Sequence, residues 1–370
     1  MTGPLAGLRI VEIGNGPAVA FAGRNFADLG ADVVKIEAPE GDEIRHWPGP
    51  KILGEPGIFH ALNRGKSSMV LDLNSASGIE TLKDLLNVAD GCIDGTDAGL
   101  ARQLGPDRLV IARISPYGEG IDSPAHHEAT LQAESGFLAI NGRPDFPPVR
   151  TGLPMIAQGA GASAAHGMLA ALIAREDDGE GEDIDVALYD QGVVLSYHYA
   201  TQYLVNGVRP TRFGNNSPAA APLGVFQAAD GEFQLTVAGE RVWKRFVTNM
   251  IEMPELADDS RFITNSDRVS NQAALLAILV PLFKSRPRDE WIQKMKNGGV
   301  PGGPIRDINE AITAPESIKR NLIVSKEDGN GVPSIRNPLR FRDTPIADPV
   351  PAPGLNVGGR DIFALWKDNK

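Results

Sequence analysis

The residues that invite a chemical reading sit in four places. Gly14-x-Gly16 follows an apolar run, and an acid, Glu37, ends the next one. A dinucleotide-binding turn and its ribose-binding acid are spaced in this way, but the third glycine is missing because Val19 stands in its place. A nicotinamide-dependent oxidoreductase is therefore a remote alternative. Lys66 closes the turn Asn63-Arg64-Gly65-Lys66. His126, His127 and Glu128 bunch ahead of a short helical stretch; adjacent histidines reach one metal only with distortion, so no metal site is expected. Met155 to Gln158 reads as a loop forming a site floor, and the helix that follows from Gly159 offers unpaired N–H groups to an anion. No charged residue falls between Arg150 and Arg175. Any acid acting on that floor must come from elsewhere in the chain.

These candidates need elements to carry them. Leu8–Ile13, Val33–Ile36, Met69–Leu73, Gly91–Asp94, Leu109–Ile114 and Ile184–Val186 read as strands. Helical patterns over Ala20–Leu29 and Gly78–Ala89 alternate with them, the latter aligning Ile79, Leu82, Leu85 and Leu86 on one face. Alternating β and α segments imply an open, doubly wound parallel sheet whose ligands lie at the carboxyl ends of the strands. Those ends fall near Asn15, Glu37, Asn74, Gly95 and Ser115. Gly159, Gly161 and Gly167 each weaken the helix after Met155 by about 1 kcal/mol relative to Ala, which calls for close approach of another backbone or a ligand. A helix from Leu188 to Leu204 holds His198 among Tyr197, Tyr199 and Tyr203, a spacing typical of packing. Beyond Gly207 come a linker, a hairpin over Gly224–Val237 and helices near 241–250, 271–283 and 289–297, together a small α+β domain. The proline-rich tail from Gly331 must dock to remain ordered.

The chain has 370 residues, 42% of them hydrophobic and 22% charged, which fits an ordinary globular protein of two domains. A net charge of −11 argues against a nucleic-acid partner. The longest charge-free segment holds too much Gly, Ser and Gln for a membrane span, and the N-terminus lacks the order of a signal peptide. The single cysteine, Cys92, fits a reducing cytoplasm.

Several stretches together resemble the family III CoA-transferases, the group that includes formyl-CoA transferases and α-methylacyl-CoA racemase. They are PLAGLRIVEI, ADLGADVVKIEAPEGDEIR, NRGKSSMVLDLNSASG, LQAESGF, GLPMIAQGAG, PTRFGNNSPAAAP, DDSRFITNSDRV and GVPGGPIRDINEAI, in the family's order. The resemblance spans nearly the whole chain. It implies a large Rossmann-like domain built from both chain ends (1–205 and 331–370), a small middle domain (206–330), and two chains interlocked as a dimer. CoA would lie along the carboxyl edge, with Asn15, Lys66, Leu71, Gly95 and Thr96 as its expected contacts and a CoA thioester as substrate or ligand. No covalently bound cofactor is implied. Transferases of this kind use an aspartate that forms a mixed anhydride and then a CoA thioester; the racemase moves an α-proton with a His and an Asp.

The family pattern places that aspartate five residues after Gly152, where this chain has Ala157. The CoA edge departs too, with Ala38 in place of an arginine, Gly95-Thr96 in place of Asn-Phe, Val19-Ala20 in place of Gly-Pro, and Asn356 to Gly359 in place of Gly-Glu-His-Thr. His127-Glu128 falls where the racemase has its His-Asp. The plainer role of this pair is a helix cap, and that of Lys66 a solvated surface lysine. Three readings stay open: a racemase, isomerase or lyase using His127 and Glu128; a transferase whose acid comes from another position; and a non-catalytic subunit, as homodimer or paired with an aspartate-bearing relative.

Overall fold

The computed structural model describes residues 3–121 and 127–368, so His126 lies outside the described residues. The chain divides into two compact units. The first comprises residues 1–138, 150–207 and 314–370, and the second 139–149 and 208–313.

In the first unit, six strands form one parallel sheet: β1 (Arg9–Gly14), β2 (Asp32–Glu37), β3 (Ser67–Val70), β4 (Gly91–Gly95), β5 (Val110–Ser115) and β6 (Asp183–Ala187). Their spatial order is β3-β2-β1-β4-β5-β6, and Val11 of β1 lies opposite both Val34 and Cys92. Near-continuous runs such as Val33-Val34 and Val110-Ile111-Ala112 suit strands covered on both faces. The chain runs from β1 through β2 to β3 on one side and then crosses to β4 on the other side of β1, and that reversal opens a crevice at the carboxyl ends. The helices are α1 (Pro17–Asp28), α2 (Gly57–Asn63), α3 (Ala76–Leu86), α4 (Leu100–Leu104), α5 (Glu128–Glu134), α6 (Met155–Asp178), α7 (Leu188–Leu195) and α8 (Tyr197–Asn206). Pro17 starts α1, where its missing N–H costs nothing, and Gly179 in the left-handed region ends α6.

Two expectations need correction here. Met155 to Gln158 is not a loop before the helix but the first turn of α6. The anticipated single helix over 188–204 breaks at Ser196 into α7 and α8. Among the described residues, α6 alone is long and apolar enough to cross a membrane. Here it is a core helix, with Ile156, Ala160, Ala164 and Met168 buried against α1 and the sheet.

The second unit holds an antiparallel sheet of β7 (Leu223–Gln227), β8 (Glu232–Thr236) and β9 (Gly302–Pro304), over a core that includes Phe233, Phe246, Phe283 and Trp291. The expected boundaries shift: the division at 205 moves to 207, and two further stretches change unit. Residues 139–149 belong to this unit, because Arg212 donates to the carbonyls of Ala139, Arg143 and Phe146. Residues 314–330 belong to the first unit. Arg336 there holds the carbonyls of Asn321 and Ile323, and Ile323–Val324 pairs with Ser334–Ile335.

Candidate functional site

The crevice at the strand ends of the first unit is an open cleft of about 1470 Å³. Asn15, Leu71, Gly95 and Thr96, four of the five expected CoA contacts, line it, as do His127, Glu128 and Ala157. The backbone is tight where β1 and β4 end: Gly14 has φ +96°, and a Cβ there would fall 2.6 Å from the Gly95 carbonyl carbon. Only glycine fits such an approach. Buried Asp94 fixes the neighbouring turn, accepting from the Thr96 amide at 2.8 Å, the Thr96 hydroxyl at 2.6 Å and the Ala101 amide at 2.8 Å. Thr96 therefore offers a ligand its methyl group, its amide, carbonyl and hydroxyl all being engaged.

Lys66 is the fifth expected contact, and the structure places it elsewhere. Its side chain is wholly buried, 2.7 Å from Glu12 Oε2, and donates to the carbonyl of Ala20 and to Asn63 Oδ1. Glu12 also pairs with Lys35 at 2.9 Å, and Lys35 with Asp42 at 2.7 Å. Two lysines and two acids thus balance one another in the interior, and the ammonium of Lys66 does not line the cleft. Burial pulls Lys66 down to about 8, against the attraction of Glu12. Burial opposes the charge of Lys35 as well, yet Glu12 and Asp42 hold it above the ordinary lysine range. The solvated-lysine alternative fails for the same reason as the CoA contact.

Glu37, the would-be ribose acid, is also spoken for. Arg45 grips both of its oxygens at 2.7 Å, Ser68 donates at 2.6 Å and the Asp42 amide at 2.9 Å. Burial pushes this carboxyl up, but those donors together hold it below its usual range. A fully engaged carboxylate has no oxygen left for a ribose, which removes the residue on which the dinucleotide alternative relied.

The floor supplied by α6 receives its acid from α5. Glu128 Oε1 accepts from the Ile156 amide at 3.0 Å and from Gln132 Nε2 at 2.9 Å, while Oε2 accepts from the Ala157 amide at 3.0 Å. Gln132 in turn is fixed by Thr151, whose amide donates to Gln132 Oε1 at 3.0 Å. Glu128 is thus a helix cap, but for α6 rather than for the helix on which it stands. Opposite charge near the helix dipole and three donors hold the carboxylate in one place. His127 is exposed and lines the cleft. Both Glu128 oxygens point to α6 and Gln132, so the carboxylate is not an orienting group for the His127 ring.

Two cations at the cleft were not anticipated. Arg113 interrupts the apolar run of β5; its Nη2 donates to the Asp97 carbonyl at 3.2 Å, and its buried Nε has no hydrogen-bond partner among the described residues. Arg150 lines the cleft beside Gly152 and Leu153. A charged residue inside a strand that is otherwise buried was the available signal for Arg113.

Comparison with known proteins gives this geometry a family. The model of "CoA-transferase family III" matches residues 5–358. A succinate–glutarate CoA-transferase of Agrobacterium fabrum is 32% identical over 98% of this chain and 95% of its own length. An acetyl-CoA:oxalate CoA-transferase of Acetobacter aceti is 32% identical over 99% of this chain and 96% of its own. The crystal structure of a CaiB/BaiF family protein from Brucella suis superposes with a TM-score of 0.87 at 32% identity, covering 99% of this chain and all of that one. The chain belongs to CoA-transferase family III.

Proposed function

We propose that the protein moves CoA between carboxylic acids, taking an acyl-CoA thioester and a free carboxylate into the cleft of its first unit. The observation that carries this reading is the continuity of that cleft. It runs from the strand-end positions Asn15, Leu71, Gly95 and Thr96 to a fixed carboxylate, Glu128, at the first turn of α6. The nucleotide end of CoA lies at the strand ends, and the thioester reaches α6. Arg113 and Arg150 are the cations available to phosphate or to a second carboxylate on the acyl group. The names of the relatives favour short dicarboxylic acids. The test is an exchange assay with the purified full chain, pairing acetyl-CoA or succinyl-CoA with labelled succinate, glutarate or oxalate. Label appearing in acyl-CoA supports the reading. A folded chain that neither binds nor exchanges any of these thioesters overturns it.

The protein works as a dimer, either of two copies or of one copy with an aspartate-bearing relative, in a reducing compartment. What supports this is an apolar surface on α7 and α8, where Val194, Tyr197, Leu204 and Val205 are 60 to 81% exposed. Light scattering of the purified chain reports a mass near twice 39.4 kDa if two copies pair. A chain that stays monomeric alone and gains mass only with a co-expressed relative carries the second arrangement. Racemase chemistry is the weaker alternative, because Ala157 stands where a second base would be needed to serve the other face of the α-carbon. Deuterium entering 2-methylacyl-CoA from heavy water, and lost in His127→Ala, would reinstate it.

A further inference from the structure

We propose that Glu128 is the carboxylate that carries acyl group and CoA in turn, standing in from α5 for an acid that α6 lacks. The assignment rests on the CoA-transfer reading above. Ala157 cannot attack a thioester, and no acid lies between Arg150 and Arg175. Yet the amide of Ala157 donates to a carboxylate at 3.0 Å, and that carboxylate is Glu128. An acid at the cleft end of α6 is therefore present, delivered from another element. Glu128 is only partly buried and faces the cleft, so a thioester carbonyl can reach it.

The chemistry balances without any further reactant. A Glu128 oxygen attacks the thioester carbonyl, the carbon–sulfur bond breaks, and CoA leaves as thiolate, giving a mixed anhydride. The thiolate then attacks the Glu128 carbonyl carbon, the bond to the bridging oxygen breaks, and the first acid leaves as carboxylate, giving a glutamyl-CoA thioester. The incoming carboxylate attacks that thioester and expels CoA thiolate, forming a second anhydride. The thiolate attacks its acyl carbonyl, and Glu128 is regenerated as carboxylate with the new acyl-CoA released. No proton or electron enters or leaves the cycle. The Ile156 and Ala157 amides, already 3.0 Å from the two oxygens, are placed to receive the negative charge that develops on oxygen each time the glutamyl carbonyl is attacked. Gln132, bound to Oε1 and anchored by Thr151, keeps the side chain from swinging away as its charge is neutralised.

The test uses the full chain with acetyl-CoA or succinyl-CoA, quenched with hydroxylamine and mapped by peptide mass spectrometry. The expected result is a hydroxamate at Glu128 and at no other acid. Glu128→Gln should lose the label and reduce exchange on the order of a thousandfold or more, with CoA binding retained by calorimetry. The double variant Glu128→Gln with Ala157→Asp should regain label at position 157, since the cleft and both cations are untouched. An active wild type whose label maps to another residue, or a Glu128→Gln protein that exchanges at the wild-type rate, overturns the assignment while leaving CoA transfer standing. A folded double variant that binds CoA but gains no label at position 157 also counts against it. A wild type that binds and exchanges nothing removes the reading beneath it instead.

Discussion

At the scale of single residues, the clearest lesson comes from Lys66 and Glu12. Their ion pair is wholly buried, and Glu12 shares a second lysine, Lys35, with Asp42. Removing one partner of a buried pair leaves an uncompensated charge, so Lys66→Met should lower stability by about 3–5 kcal/mol. Urea unfolding measures that loss, while CoA titration of the folded variant should match wild type, since Lys66 does not line the cleft. The pH dependence has a definite sign. Lys66 titrates near 8 when folded but at the ordinary lysine value of 10.5 when unfolded. Between those values the unfolded chain holds a proton that the folded one has released, so this group's contribution to stability rises with pH. Lys35, shifted the other way, acts only above the ordinary value. Urea midpoints taken from pH 8 to 10 should therefore climb in wild type relative to Lys66→Met; parallel curves would show that Lys66 keeps its proton. None of this burial was legible in the turn around Lys66, because its partner lies far up the chain. The available signal was Glu12 itself, an acid inside the apolar run Ile10-Val11-Glu12-Ile13, where a strand covered on both faces demands a counter-charge. Glu128 was legible as a capping acid. The helix it caps was not, because sequence distance hides which N-terminus a side chain reaches.

At the scale of elements, α1 against α6 explains the glycine-rich stretch. A Cβ on Gly161 would fall 2.5 Å from the Ala18 carbonyl oxygen and 3.0 Å from the Ala22 amide. Backbone cannot yield as a side chain can, so Gly161→Ala should wedge the two helices apart and cost about 1–3 kcal/mol. Gly159 offers a contrast within the same helix. There the nearest atoms belong to the flexible end of Gln191, which can turn away at the cost of its bond from Ser163. Gly159→Ala should consequently sit near neutral, the gain of about 1 kcal/mol in helix propensity offsetting that bond. Thermal unfolding of the two variants side by side decides the matter; equal losses would mean that propensity, not close approach, governs this helix. The small-residue pattern showed that something approaches α6 closely, and the alternation of strands and helices showed the parallel sheet. The start of α6 was misread because Pro148, Gly152 and Pro154 signal irregular chain. The acid that holds the first α6 amides, and so extends the helix back to Met155, comes from a different element.

At the scale of the whole molecule, the question is how the two chain ends make one unit. The sheet ends at β3, which leaves an edge of unpaired backbone that a protein must cover. The C-terminal tail covers it. Ser68 donates to the Val357 carbonyl at 2.8 Å, and the Val70 amide donates to Asn356 Oδ1 at 3.0 Å. Gly359 then lets the final helix, Gly359–Asp368, start against β3, since a Cβ there would lie 2.6 Å from the Ser68 carbonyl oxygen. That helix buries Trp366 in the core formed by Val11, Val34, Leu82 and Leu85, at 3% exposure. The need for the tail to dock was legible from its position and composition. Its target was not, because one strand edge looks like another until the strand order is known. The same limit moved the domain boundaries, since residues 139–149 and 314–330 are assigned by backbone contacts to segments remote in sequence. The docked tail yields a quantitative expectation. Trp366→Ala empties a core position and should cost about 3–5 kcal/mol, a large fraction of the margin of an ordinary domain. A chain ending at residue 353 loses the edge cover as well and should aggregate through β3 rather than merely unfold at lower temperature. Urea unfolding of Trp366→Ala, with light scattering of the truncated chain during refolding, separates the two effects. A truncated chain that refolds without aggregating, at wild-type stability, would show that the tail lies on the sheet without holding it.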